Sequence, residues 1–333
     1  MSGAKSYSTY GESEWDKELR LLYEERLSTI HKQEHTSASL QESHEQIINK
    51  AVSHALKRTV SEWGEPPTHF AFFLMGSGGR LEQSFWSDQD HGLVYESNNE
   101  EDQLYFLHFG REIVYALEKV GYERCDGNVM ASNRKWCCSY EKWEAQLHSW
   151  LKEDKWETLR YTLTFFDSRS IYGKHELLDQ LKQTIFQLIK KEPYLLKRLT
   201  ENTGRLKKGI GVFNQLLVET KGVHKGKFDF KQIVLFPYVN GLRLLALEQE
   251  ILTSSTIGRF QQLPTKYTNI KQTQQSFEKL LEKRVGWQHK VGQYENIHHL
   301  SLESLSKEER RLLKKWVREG HQLYQTIERL LKG

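Results

Sequence analysis

The chain has 333 residues, long enough for a sizeable core and for two or three domains. Hydrophobic residues make up 38%, aromatics 12% and charged residues 28%, with only five prolines, which excludes a disordered, collagen-like or coiled-coil chain. A formal net charge of +4 is small for this length and argues against a dedicated nucleic-acid binder, which concentrates positive charge on one face.

Taken in chain order, the opening "MSGAKSYSTYGESEWDKE" has no apolar leader core. No run anywhere approaches the roughly 20 apolar residues of a membrane span, so no membrane association is expected. From about Glu14 to Trp63 the pattern is helical, with Ile47, Ile48, Ala51, Val52, Ala55 and Leu56 recurring at three-four spacing. Gly64 stops that helix and Pro66-Pro67 prevents its resumption. The period then changes. "FAFFLM" from Phe70, "HGLVY" from His91 and "LTFF" before Asp167 are short apolar runs suited to buried strands, with a helical pattern from Gln103 to Val120 between them. Beyond Gly173 the strand signals vanish and the chain is charged, leucine-rich and helical. The expected architecture is therefore α+β. A helical segment (1–64) leads into a small mixed sheet with flanking helices (65–175), and an all-α domain (176–333) follows.

Cys125, Cys137 and Cys138 lack the even count of a disulfide framework and the paired spacing of a zinc site. A reducing compartment is the natural reading, and a cytoplasmic protein the expectation. Cys137 and Cys138 read as small buried fillers, His298 and His299 as surface residues, and "KEERRLLKKWVREG" from Lys307 as a packed helix with a charged outer face.

The chemistry concentrates between the first two runs. Gly76, Gly78 and Gly79 permit backbone angles closed to other residues, so successive N–H groups can converge on an anion. This is neither a Walker loop nor a dinucleotide fingerprint, since GxxxxGK[ST] and GxGxxG are both absent. Asp88 and Asp90 follow, two apart at the start of a strand, so their side chains share a face. Like charges held that close repel, and a divalent cation resolves the conflict; a solvated turn or helix cap is the alternative. Arg80 and Arg169 offer fixed positive charge for a triphosphate, and Asp167 offers a third carboxylate for a two-metal phosphoryl transfer.

At these residues the chain resembles the nucleotidyltransferase superfamily of the DNA polymerase β type. More narrowly, it is similar to nucleotidyltransferases akin to PII-protein uridylyltransferase, whose signature GSxGRxExxxxxDQD is met by Gly76, Ser77, Gly79, Arg80, Glu82, Asp88, Gln89 and Asp90. The likeness continues through "CDGNVMASNRKWCCSYEKW" from Cys125, through "FFDSRSIYG", and into a helical C-terminal domain often called substrate-binding. The CBS and cyclic-nucleotide-binding domains often fused to that family do not precede the block here. The resemblance implies a polymerase β-like fold and transfer of a nucleoside monophosphate from an NTP to an acceptor hydroxyl, on a regulatory protein or a small molecule. Magnesium, or manganese, would be the cofactor, held by Asp88, Asp90 and Asp167. Gly76 and Ser77 would hold the β and γ phosphates, with Gly79, Arg80 and Arg169 beside them. Glu82, Gln89, Met130 and Asn133 are the remaining candidates for the pocket. Two other readings stand beside the enzyme: a catalytically silent nucleotide-sensing or protein-interaction module, and an RNA or tRNA nucleotidyltransferase, against which the modest charge counts.

Overall fold

The computed structural model describes residues 13–30, 35–288 and 297–332; the N-terminal stretch read as lacking a leader core lies mostly outside them. Two helices lead, α1 (Glu14–Ile30) and α2 (Ser37–Trp63). The second starts at a capping box, in which the Thr36 hydroxyl accepts from Ser39 N and the Ser39 hydroxyl accepts from Thr36 N. It ends at Gly64, whose φ of 82° is open to glycine at little cost.

Strand β1 (Phe70–Leu74) runs into a single helical turn, α3 (Gly76–Gly79), and the chain returns through β2 (Asp88–Gln89) and β3 (His91–Tyr95). Helix α4 (Glu100–Lys119) starts at Asn99, whose side chain caps Asp102 N, and carries three acids in its first turn, where the helix dipole favours them. Then come β4 (Glu123–Arg124), β5 (Cys137–Ser139), α5 (Tyr140–Glu153), α6 (Trp156–Phe166) and β6 (Arg169–Gly173). The main sheet has the order β5-β3-β1-β6. β1 is antiparallel to β3, with Phe70 opposite Tyr95, and antiparallel to β6, while β3 and β5 run parallel.

Both faces of this sheet are covered, which explains why its strands read as unbroken apolar runs. Ala71, Phe73 and Met75 point into one core, shared with α5, α6 and the C-terminal helices. Phe70, Phe72 and Leu74 point into the other, shared with α1, α2 and α4. Burying side chains such as Phe72 and Phe73 completely contributes about 2–3 kcal/mol each, so the sheet is fixed from both sides.

The remaining helices are α7 (Glu176–Lys191), α8 (Tyr194–Thr203), α9 (Phe236–Glu248), α10 (Thr256–Gln262), α11 (Thr268–Lys271), α12 (Gln274–Gln288) and α13 (Lys307–Lys332). A π-helical turn, Lys231–Leu235, precedes α9.

Two expectations are corrected here. The run "LTFF" lies in helix α6, where Leu159, Leu163 and Phe166 bury one face at helical spacing, so the strand follows Asp167 instead of preceding it. A four-residue apolar run cannot distinguish the two forms. In the C-terminal half, β7 (Phe228–Asp229) pairs with β8 (His299–Leu300), with Asp229 opposite His299, a pairing too short to leave a periodic signal.

Candidate functional site

The end of β1 and the start of β3 are joined where Met75 N donates to Asp90 O at 2.7 Å. This bond draws the glycine turn onto the Asp90 side chain. Gly76 has φ of 53°, and a side-chain carbon placed on it would stand 2.1 Å from Asp90 Oδ2, so the turn backbone lies directly against the carboxylate. Oxygens of Asp88 and Asp90 and the Cys125 sulfur all fall within 4.8 Å of one another. Among the described residues neither carboxylate has an ion-pair partner within 4.0 Å. Burial, reinforced by the charge of Asp88, raises the Asp90 carboxyl to about 6. Burial and the nearby Asp90 push the Cys125 thiol up to about 12, so it stays protonated beside the carboxylates.

Lys231 approaches from the π-helical turn. Burial holds its ammonium below the usual lysine range, against the pull of Asp88 and Asp90, and it contacts His298 Nε2 at 3.2 Å. His298 is thus tucked under the site, contrary to the surface placement expected from sequence. The cavity bordered by Met75, Gly78, Gln83, Asp88 and Asp90 measures about 10 Å³, room for a single water or ion. Hard carboxylate oxygens beside a protonated thiol fit magnesium or manganese better than a thiolate-seeking metal.

Asp167, expected as the third metal ligand, does not join the Asp88–Asp90–Cys125 group and is paired with guanidinium groups. It follows the last turn of α6, is fully buried, and accepts from Arg80 Nη1 at 2.7 Å and Arg243 Nε at 2.9 Å, with Arg259 Nη2 at 2.9 Å. Burial alone would raise its pKa, but the three guanidinium groups prevail and hold it well below the usual carboxylate range. Its backbone matters too. A side-chain carbon on Gly79 would stand 2.0 Å from Asp167 O, so Gly79 serves this close approach. The strand flanking β3, β5, consists of Cys137, Cys138 and Ser139 and supplies no acid in place of Asp167.

The same cluster accounts for Arg80 and Glu82. Arg80 Nε donates to Glu82 at 2.8 Å, Glu82 accepts from the Thr256 hydroxyl, and Arg284 Nη1 donates to Glu82 O at 2.8 Å. Arg80 is therefore engaged by carboxylates, with Glu82 as its brace. Arg169 pairs with Glu45 of α2 at 2.9 Å. Gln89 spends its amide on Val114 O, Tyr122 O and His91, so it is structural although it borders the small cavity. Asn133 bonds Asn128 O and Lys135 N, and Met130 is buried, so both brace the 125–136 loop. Ser77 O accepts from Glu82 N, closing the turn.

Lys231, Arg243, Arg259 and Arg284, all from the C-terminal half, are functional candidates that sequence reading missed. A signal was available for one of them: Arg243 interrupts the apolar run "NGLRLLAL" of α9, where an unpaired cation would be costly. A cleft of about 1590 Å³ opens between α2, Arg80–Glu82, α10 and α12, with Gln41, Glu45, Gly258, Glu278, Glu282 and Trp287 on its walls. Gln41 also clamps the turn's exit, accepting from Gln83 N at 2.8 Å and donating to Gln83 O at 2.7 Å.

A family model described as "Putative nucleotidyltransferase DUF294" matches residues 23–157, and one described as "Putative nucleotidyltransferase substrate binding domain" matches residues 193–330. The chain belongs to this nucleotidyltransferase family. The first match holds the glycine turn, Asp88, Asp90 and Cys125, and the second holds Lys231, Arg243, Arg259 and Arg284. Asp167 falls between the two. A search of curated proteins found no match. Among the described residues, no helix is long and apolar enough to cross a membrane.

Proposed function

We propose that the protein is a magnesium-dependent nucleotidyltransferase that moves a nucleoside monophosphate from an NTP to an acceptor hydroxyl. The observation carrying this reading is the glycine turn pressed against Asp90, which puts first-turn amides beside two carboxylates that have no protein cation bonded to them. Asp88 and Asp90 would hold the cation. When bound, magnesium neutralises phosphate charge and stabilises the leaving oxygen. The acceptor oxygen bonds to the α-phosphorus, the bond from that phosphorus to the α–β bridging oxygen breaks, pyrophosphate leaves, and the acceptor proton passes to solvent.

Buried cations support an anionic substrate. Arg80, Arg243, Arg259 and Arg284 outnumber the acids Glu82 and Asp167 that they surround, and Arg259 Nη1 and Arg284 Nε have no hydrogen-bond partner among the described residues. In this reading the 10 Å³ cavity has room for the cation alone, and the triphosphate lies outside it. The cleft at Arg80–Glu82 exceeds the roughly 300–1,000 Å³ of a typical small-molecule site, which favours a protein segment as acceptor.

A specific observation favours a second reading. With Asp167 claimed by three arginines, the site has two carboxylates where the transferase pattern has three, as a silent nucleotide sensor would. Incubation with each labelled NTP, magnesium and a cell lysate separates the two. Pyrophosphate release and label transfer that vanish in Asp88→Asn/Asp90→Asn support the transferase. Nucleotide binding with no release for any base sinks it in favour of the sensor.

A further inference from the structure

Away from the candidate site, a concavity of about 400 Å³ lies where the first turns of α13 meet a turn at Asn214. It is lined by Lys307, Arg310, Arg311, Lys314, Arg318 and Asn214. The five cations project from one arc of the helix about 100° wide, since each residue advances about 100°. No carboxylate lines the concavity, and none of the five has an ion-pair partner within 4.0 Å among the described residues. The acids of the same helix are engaged elsewhere or turned aside: Glu309 folds back on Ser306 N and takes Trp287 Nε1, while Glu308 and Glu319 sit about 100° and 120° round from Lys307.

A solvated helix face ordinarily alternates its charges. Here Lys307–Arg310, Lys307–Arg311, Arg310–Lys314, Arg311–Lys314 and Lys314–Arg318 are like-charge pairs three or four apart, each of which weakens the helix. Two guanidinium groups are anchored but not used up. Arg310 Nε donates to Leu305 O at 3.0 Å and Arg318 Nη2 to Asn214 Oδ1 at 2.5 Å, leaving their other N–H groups free to fork onto an anion. The volume falls within the range of small-ligand sites. Beside Asn214, Val212 and Phe213 stand 83% and 87% exposed.

We propose that this concavity binds a ligand bearing two or more phosphates, at a site separate from the candidate active site. Phosphate oxygens match the forked donors, and several phosphates match five cations in 400 Å³. The phosphates belong either to a free molecule or to a phosphorylated lipid headgroup, and in the second case Val212 and Phe213 would enter the lipid.

The test titrates the full chain with sodium tripolyphosphate by calorimetry, without magnesium and at physiological ionic strength, beside sedimentation with phosphatidylcholine vesicles that carry or lack phosphoinositides. Arg310→Gln/Arg311→Gln should weaken binding about a hundredfold, since each charged hydrogen-bond donor is worth roughly tenfold or more. The melting temperature of that variant should hold or rise, because like-charge pairs are removed. Phe213→Ser should leave tripolyphosphate binding intact; vesicle binding lost in this variant assigns the lipid source, and no vesicle binding by the wild type assigns the free one. The proposal is overturned if neither probe binds, if the double variant binds as tightly as the wild type, or if an acidic peptide binds as well as tripolyphosphate.

Discussion

At Asp88 and Asp90, two carboxylates share a small space with a protonated thiol, whereas Asp167 has three guanidinium groups to itself. The difference predicts opposite responses to neutralisation. Asp88→Asn removes one of two repelling charges and should leave stability unchanged or raise it. Asp167→Asn strands three buried arginines and should cost about 3–5 kcal/mol, the loss typical when one partner of a buried ion pair is removed. Urea denaturation of both variants checks this, and a neutral Asp167→Asn would refute the structural role given to that residue. In the sequence the three acids look alike, each beside an apolar run and near a glycine or an arginine. Asp88 and Asp90 were legible because their spacing and the glycine turn lie within 15 residues of one another. The pairing of Asp167 was not legible because Arg243 and Arg259 arrive from more than 70 residues further along the chain.

At the scale of elements, helix α2 latches the glycine turn through Gln41, which satisfies both the N–H and the carbonyl of Gln83. Removing the latch leaves both backbone groups buried without partners. Gln41→Ala should therefore cost about 1–3 kcal/mol per stranded group and speed amide exchange at Gln83 well beyond its effect on β1. Equal exchange in the two proteins would show that the turn holds itself. The elements themselves were readable where a period had room to repeat: α2 and α4 show three-four spacing over several turns, and β1 and β3 are bounded by turn residues. α6 failed that test because its last four residues are all that an apolar run displays, and its buried face becomes visible only from Leu159 onward. The small sheet with helices on both sides follows from the apolar strands, but the β1–β3 register that seats Gly76 on Asp90, continued by the Met75 to Asp90 bond, is encoded by no local pattern.

Among the described residues, His44, His91 and His298 are the imidazoles held most firmly neutral by their surroundings, with His299 and His321 shifted in the same direction. Burial, with Arg26 nearby, lowers His44 to about 3; burial lowers His91 to about 3; and burial, then Lys231 and Arg284, lowers His298 to about 2. His44 joins distant parts of the fold, with Tyr122 Oη at 2.9 Å from one ring nitrogen and Ser84 O at 2.8 Å from the other. Each folded-state pKa lies below the unfolded value of 6.5, so the unfolded chain binds more protons once the pH falls under 6.5. Their stabilisation is complete above that pH and declines as the solution is acidified. Each contributes a loss that rises toward roughly 1.4 kcal/mol per pH unit, so the three together remove about 5 kcal/mol between pH 6.5 and pH 5. Asp90 acts in the opposite sense, because its folded pKa of about 6 exceeds the unfolded 3.8 and returns about 1.4 kcal/mol over the last of those units. Asp167, lowered from 3.8, contributes only below this window. The net loss, about 4 kcal/mol, is a large share of the 5–15 kcal/mol that holds a typical domain together. Thermal melts from pH 7.5 to pH 5 should therefore show a steep fall beginning near pH 6.5. In His44→Gln the slope should flatten by about a third, and in Asp90→Asn it should steepen below pH 6. A wild-type melting temperature that stays level to pH 5 would mean that these imidazoles gain protons without leaving the fold.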